Sequence, residues 1–325
     1  MKQRLKSLLR PYYHLARSLV LYPYSLKIAS DYKTHYLEAQ ETFKTQGDGR
    51  RIRSLAEVRA RVIHPATTGE LIEFPDNYLD LIHRIAQDVD EKFKFPQNCR
   101  FFPRVDASPL PKKSEDIPAL KNGDVISLQL KPYLEVSGLA ELSAALMPQL
   151  EKKVFGSYLL VEKVYIYRSV VSRLEGQVSW AWHYDNHPKE IMKLMIYLTD
   201  VDKDSGPLLF LRSKDREPCW MSPKPLLGYS RVPQGVVERY QSEGYEPHPV
   251  IGPRGTLTLF NENIVHRATV AKSRIRDVVV FQIRPSTKQL TPTLDPRWTG
   301  SFEHRDFNPN PWDLRARPKG QMLSA

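Results

Sequence analysis

Residues 255–285, "GTLTLFNENIVHRATVAKSRIRDVVVFQIRP", read as two strands around a short basic excursion. Alternation over 256–260 and the β-branched run over 278–284 predict the strands, with His266 at the turn after the first. Upstream, "WAWHYDNHPKE" at 180–190 sets His183 and Asp185 two residues apart. Residues i and i+2 of an extended chain point to one face, so an imidazole and a carboxylate can converge there. A polar strand end is the alternative for an isolated His-x-Asp. With His266 on an adjoining strand, two imidazoles and a carboxylate form the facial triad that leaves iron positions open for a cosubstrate and oxygen. Arg276 opens the returning strand, where its planar guanidinium suits a carboxylate.

Outward from this core, β-rich runs at 125–130, 159–171, 194–199 and 208–211 are separated by turn residues. Their spacing predicts a sandwich or barrel rather than a doubly wound sheet. A helix over 139–155 precedes most of them. Residues 1–95 read mostly as helix, at 37–43, 55–62 and Tyr78–Phe93, the last with the stripe Leu79, Ile82, Ala86, Val89. The expectation is an α+β protein: a helical extension over 1–120, a β core over 121–286, and a tail over 287–325 tied down by Trp312.

The chain has 325 residues, 41% hydrophobic and 26% charged, enough for a sizeable core. Cys99 and Cys219 lack partners at zinc-site spacing, so a disulfide framework is not expected and the cytoplasm is the default location. A net charge of +11 favours anionic partners, such as phosphate- or CoA-bearing molecules or acidic headgroups. The basic residues are scattered and no nucleic-acid-binding signature occurs, so nucleic acid is not expected as a partner. Residues 1–30 combine Lys and Arg with Leu, Val and Tyr, but Arg17 and Pro23 interrupt any export-signal core. Two readings stand for them: a helix packed on the body, or a cationic helix at a membrane surface. Asp200, Asp202 and Asp204 lack the closing Glu of a calcium loop and read as a solvated turn. His187 reads as a surface-loop residue ahead of Pro188.

The segments together resemble the Fe(II)/2-oxoglutarate dioxygenases of the phytanoyl-CoA dioxygenase type, including the ectoine hydroxylases. "VYIYRS" precedes "WAWHYDNH"; "MIYLTDVDKDSGPLLFLRSKD" and "GTLTLFNENIVH" follow, and then Arg276, in matching order over residues 158–285. Where many relatives read Pro-Gly-Ser-His, this chain has "LRSKD" at 211–215, so their substrate is not carried over.

The resemblance implies a double-stranded β-helix, or jelly roll, with Fe(II), 2-oxoglutarate and O2 as cofactor and cosubstrates. It implies that His183, Asp185 and His266 hold iron and that Arg276 binds the distal carboxylate of 2-oxoglutarate, with Arg274 as the alternative. By position it places Arg168, Ser172 and Lys193 along the cosubstrate pocket. Trp180, Trp182 and Tyr184 either shape a dry cavity or simply pack. Related iron halogenases carry Gly or Ala at the carboxylate position, so Asp185 implies hydroxylation, with release of succinate and CO2. The other readings are a catalytically silent binding module and a cupin-like metalloenzyme that does not use 2-oxoglutarate.

Overall fold

The computed structural model describes residues 2–46, 59–65, 71–105, 111–131, 134–176, 178–215, 217–227, 230–289 and 312. In chain order the elements are α1 (Lys2–Gln46), β1 (Ala60–Ile63), α2 (Tyr78–Phe93), β2 (Cys99–Phe102), the short α3 (Pro118–Lys121), β3 (Ser127–Leu130) and α4 (Leu139–Leu150). A π-helical turn, Glu151–Phe155, leads into β4 (Tyr158–Ser169), followed by β5 (Met192–Tyr197), β6 (Leu208–Arg212), α5 (Gln234–Ser242) and β7 (Glu246–Pro249). The chain then forms β8 (Leu257–Asn261), β9 (His266–Ala268) and β10 (Arg276–Ser286).

The strands form two antiparallel sheets. A seven-stranded sheet runs β1-β8-β5-β10-β4-β3-β2, and a three-stranded one runs β7-β6-β9. A bridge between His183 and His266 extends the smaller sheet beyond β9. Helix and antiparallel sheet are thus mixed in one chain with a helical N-terminal region.

Side-chain parity gives the large sheet two different faces. Leu194, Ile196, Leu257, Leu259, Val279, Phe281 and Ile283 point to the helices, where they join Ile82, Ile85 and Val89 of α2 and Leu142 and Leu146 of α4. Their neighbours Met195, Tyr197, Phe260, Val278 and Val280 point the other way, onto Leu208 and Phe210 of the small sheet. Burial on both faces explains why β5 and β10 carry continuous apolar runs rather than alternating ones. Residues on the sheet-to-sheet face, at odd positions of β5 and even positions of β10, therefore define the interior in which a site can form.

Several expectations are corrected. The α2 stripe is Tyr78, Leu81, Ile82, Ile85, Val89 and Phe93, whereas Leu79 is 54% exposed. The true stripe lies one residue earlier on the wheel and is continued by Phe93. Residues 60–63 are strand, not helix, because β8 offers a free edge where Ala60 pairs with Phe260 and Ile63 with Leu257; residues 55–58 lie outside the described residues. Residue 120 is not a break in the sheet, since β1 and β2 precede it and both join the large sheet. β2, β7, β9 and α5 were not anticipated. Of the tail, 290–311 and 313–325 lie outside the described residues. Trp312 donates from Nε1 to Asn186 O at 3.0 Å and meets Tyr32 edge-on.

Candidate metal centre

The HxD segment and the start of β9 run antiparallel, held by His183 N–H to His266 O at 3.0 Å and His266 N–H to His183 O at 2.9 Å. This reciprocal pair puts the two imidazoles side by side, with ring centroids 4.3 Å apart. Asp185 N–H donates to Glu262 O at 2.8 Å, which fixes the carboxylate against the same loop. Ligand atoms of His183, Asp185 and His266 all lie within 4.8 Å of one another. Asp185 Oδ1 is 3.8 Å from His183 Nε2, and Asp185 Oδ2 is 3.7 Å from His266 Nε2.

Both rings are oriented by the backbone. His183 Nδ1 lies 2.9 Å from Ala181 O and His266 Nδ1 lies 2.6 Å from Ile264 O. A carbonyl only accepts, so each Nδ1 carries the proton and each Nε2 presents its lone pair to the cluster. Burial and the neighbouring His183 push the His266 imidazole down to about 3, so it stays neutral, as a metal ligand must be. For Asp185, burial alone would raise the carboxyl, but the surrounding positive charge, led by the Lys193 ammonium, outweighs it and holds the group well below the usual carboxylate range. Donors at about 2.1 Å from a metal sit roughly 3 Å from each other in cis positions. Gathering this cluster around an ion therefore needs small side-chain shifts, and two imidazoles with one carboxylate suit a divalent iron.

Arg276 opens β10 on the interior face and is 1% exposed. Its Nη2 donates to Ser169 Oγ at 3.2 Å, and its guanidinium carbon lies 5.7 Å from the Tyr167 ring centroid. Its Nε and Nη1 are buried without an acceptor among the described residues. Unpaired donors on a buried guanidinium are costly, and alongside Nη2 they leave the group able to hold one carboxylate. Arg274 is different: its side chain is 68% exposed and lies 3.3 Å from Asp202. It points away from the interior, which removes it as the alternative to Arg276.

The other pocket residues fare unequally. Lys193, on the interior face of β5, reaches Asp185 Oδ2 at 2.6 Å, a contact to the candidate cluster. Arg168 sits on the opposite face of β4. It donates from Nε and Nη2 to both oxygens of Asp277, each at 2.7 Å, and from Nη2 to Asp90 at 2.7 Å. It lines a cavity of ≈ 470 Å³ with Asp90, Phe93 and Leu128, on the helix side of the sheet. One residue of strand parity separates it from Ser169, which does reach Arg276. Ser172 Oγ donates to Gly123 O at 2.8 Å and accepts from Leu174 N–H, so it closes a turn.

Trp182 and Tyr184 flank His183 and so point to the far side of the small sheet, where they pack with Leu209, Leu211 and Val265. Trp180 stacks on Phe102 at 5.2 Å. Plain packing is their role. His187 is not a surface-loop residue: its Nδ1 meets the fully buried Glu262. Around this pair, Asn263 Nδ2 donates to His187 O at 2.9 Å and Asn261 Nδ2 to Lys189 O at 2.6 Å. The "NEN" segment thus ties down the chain just after Asp185. Its run of short polar residues between a strand and His266 was the available signal. Asp202 accepts from Asp204 N–H and Ser205 Oγ, as a turn residue does.

No protein-family model and no curated protein matches the sequence. Among solved structures, the chain is similar to EctD from S. alaskensis in its apoform, at 15% identity and TM-score 0.44, over 72% of this chain and 76% of that one. It is similar to HygX from Streptomyces hygroscopicus, solved with nickel, 2-oxoglutarate and hygromycin B, at 13% identity and TM-score 0.39, over 71% and 84%. AviO1 from Streptomyces viridochromogenes Tue57 aligns at 15% identity and TM-score 0.38, over 76% and 93%. Likenesses this distant assign no role to any residue, and the reading of the site rests on its own side chains.

Proposed function

We propose that this chain is an Fe(II)- and 2-oxoglutarate-dependent dioxygenase that hydroxylates a small or carrier-linked organic molecule. The observation that carries the reading is the presence of two features in the interior between the sheets: the His183/Asp185/His266 cluster on the small-sheet side and the buried guanidinium of Arg276 on the large sheet. A double-stranded β-helix is the architecture we infer, supported by the order β8-β5-β10-β4 in one sheet and β7-β6-β9 in the other. The finer resemblance to phytanoyl-CoA dioxygenases is supported by the order of its sequence segments.

Bound iron with 2-oxoglutarate and oxygen would supply the oxidising power, leaving succinate, CO2 and a hydroxylated product. The protein's part is positional. His183 and His266 offer Nε2 lone pairs, and Lys193 occupies Asp185 Oδ2 so that Oδ1 is the oxygen left to ligate. Arg276 would take the distal carboxylate of the cosubstrate through its buried guanidinium, whose Nε and Nη1 have no acceptor among the described residues. Tyr167, Val278 and Val280 line the same interior face and exclude water from it. Asp185 fills the carboxylate position, which favours hydroxylation over halide transfer. An anionic group on the substrate is favoured by the net charge of +11.

Anaerobic calorimetry tests the reading. 2-Oxoglutarate should bind the Fe(II)-loaded chain and bind Arg276→Ala far more weakly. Equal binding by both would remove Arg276 from the site, and no binding by wild type would favour a cupin-like metalloenzyme without this cosubstrate.

A further inference from the structure

α1 is a single helix, Lys2–Gln46, and one stripe of it packs on the body. Ser25, Tyr32, Ala39 and Phe43 are buried; Tyr36 Oη donates to Phe155 O at 2.7 Å, and Phe43 meets Tyr158 edge-on. The opposite face is apolar too, and solvent covers it. Leu19 is 71%, Val20 65% and Tyr24 62% exposed, and Tyr13, Tyr22 and Leu26 are each more than half exposed. At helical spacing, Leu19, Tyr22 and Leu26 form one flank, Tyr13, Val20 and Tyr24 the other, and Pro23 and Lys27 lie between them.

The charge of this segment is one-sided. Residues 1–30 contain Lys2, Arg4, Lys6, Arg10, Arg17 and Lys27 and no Asp or Glu. Among the described residues no helix is long and apolar enough to cross a membrane. A helix with exposed Leu and Val, several Tyr and only positive charge has the composition of one lying in a headgroup layer, where tyrosine rings sit at the boundary and cations meet anionic lipid. A second copy of the helix suits the face less well. Its apolar residues span a broad arc rather than a narrow seam, and two such segments would bring like charges together.

We propose that the solvent-facing side of α1, over residues 13–27, docks the protein on the surface of an anionic lipid bilayer. The docking face stands close to the candidate metal centre. Arg17 Nη2 donates to Leu226 O at 3.0 Å, and Lys224 of the same loop exchanges hydrogen bonds with Asn186, the residue after Asp185. The rim of the site is thereby one loop away from the membrane-facing helix.

Co-sedimentation of the full chain with vesicles tests this, using phosphatidylcholine alone and phosphatidylcholine mixed with phosphatidylserine. Wild type should sediment with the mixed vesicles, release at high salt, and stay in solution with phosphatidylcholine. Leu19→Glu/Val20→Glu should bind about tenfold more weakly or worse. Lys27→Glu should also weaken binding, while Ile251→Glu, an exposed apolar site on the body, should bind as wild type. Circular dichroism should be unchanged in all three. Wild type left in solution with mixed vesicles, or Leu19→Glu/Val20→Glu sedimenting as wild type does, would overturn the proposal. A dimer in ultracentrifugation that Leu19→Glu/Val20→Glu dissolves, without vesicle binding by wild type, would assign the face to a second copy instead.

Discussion

Lys193 Nζ lies 2.6 Å from Asp185 Oδ2, while Asp185 Oδ1 faces His183 Nε2 at 3.8 Å. The lysine thus takes Oδ2, which also lies 3.7 Å from His266 Nε2, and Oδ1 faces the other imidazole. Burial acts against the charge on Lys193, but Asp185 and Glu262 more than offset it and raise the ammonium above its ordinary range. Removing the lysine leaves a buried carboxylate without its partner, which costs about 3–5 kcal/mol. Lys193→Met should therefore lower the melting temperature of metal-free protein by several degrees. Added Fe(II) should recover more of that loss than it adds to wild type, as scanning calorimetry can measure.

The guanidinium of Arg276 has two buried donors without acceptors among the described residues, and Arg274 is solvated beside Asp202. Arg276→Ala should raise the dissociation constant for 2-oxoglutarate by about a hundredfold, the scale of losing a buried charge-paired partner. Arg274→Ala should change it by less than about threefold, as surface ion pairs do. Titration of both variants under anaerobic conditions separates the two.

Arg168 belongs to the fold, not to the site. Its fork to Asp277 is nearly buried, at 14% and 4% side-chain exposure, and Asp90 adds a third contact. Asp277→Asn should destabilise the protein by about 3 kcal/mol in urea. Fe(II) and 2-oxoglutarate affinities of the surviving folded fraction should match wild type.

Stability should follow the His266 shift with pH. The imidazole is lowered from 6.5 to about 3, so the unfolded chain binds a proton that the folded one refuses between those values. Stability from this group is present above 6.5 and is lost as pH falls toward 3. In metal-free protein, His266→Asn should flatten that part of the stability-versus-pH curve, read from urea midpoints at a series of pH values.

Much of this was legible in the residues because β pairing places side chains by parity. Val278–Val280 and Leu257–Leu259 announce their strands by composition, and the two-residue offset of His183 and Asp185 survives folding as a shared direction. What stayed hidden depends on partners distant in sequence. β1 and β7 are strands because β8 and β6 offer them edges; "EPHP" has no β-forming composition of its own. Arg168 and Ser169 are adjacent in sequence, and only the register with Asp277 and Arg276 decides which one faces the interior. Glu262 reads as a loop acid until His187 is brought onto it.

The most direct measurement of the central claim is succinate formation from 2-oxoglutarate by the full chain, supplied with Fe(II) and oxygen and without any substrate. Wild type should release succinate slowly, and release should stop when iron is chelated. Asp185→Ala and His266→Ala should reduce the rate by about a hundredfold or more, since each removes a proposed metal ligand. No succinate from wild type that holds iron, or an Asp185→Ala rate equal to wild type, would contradict the assignment.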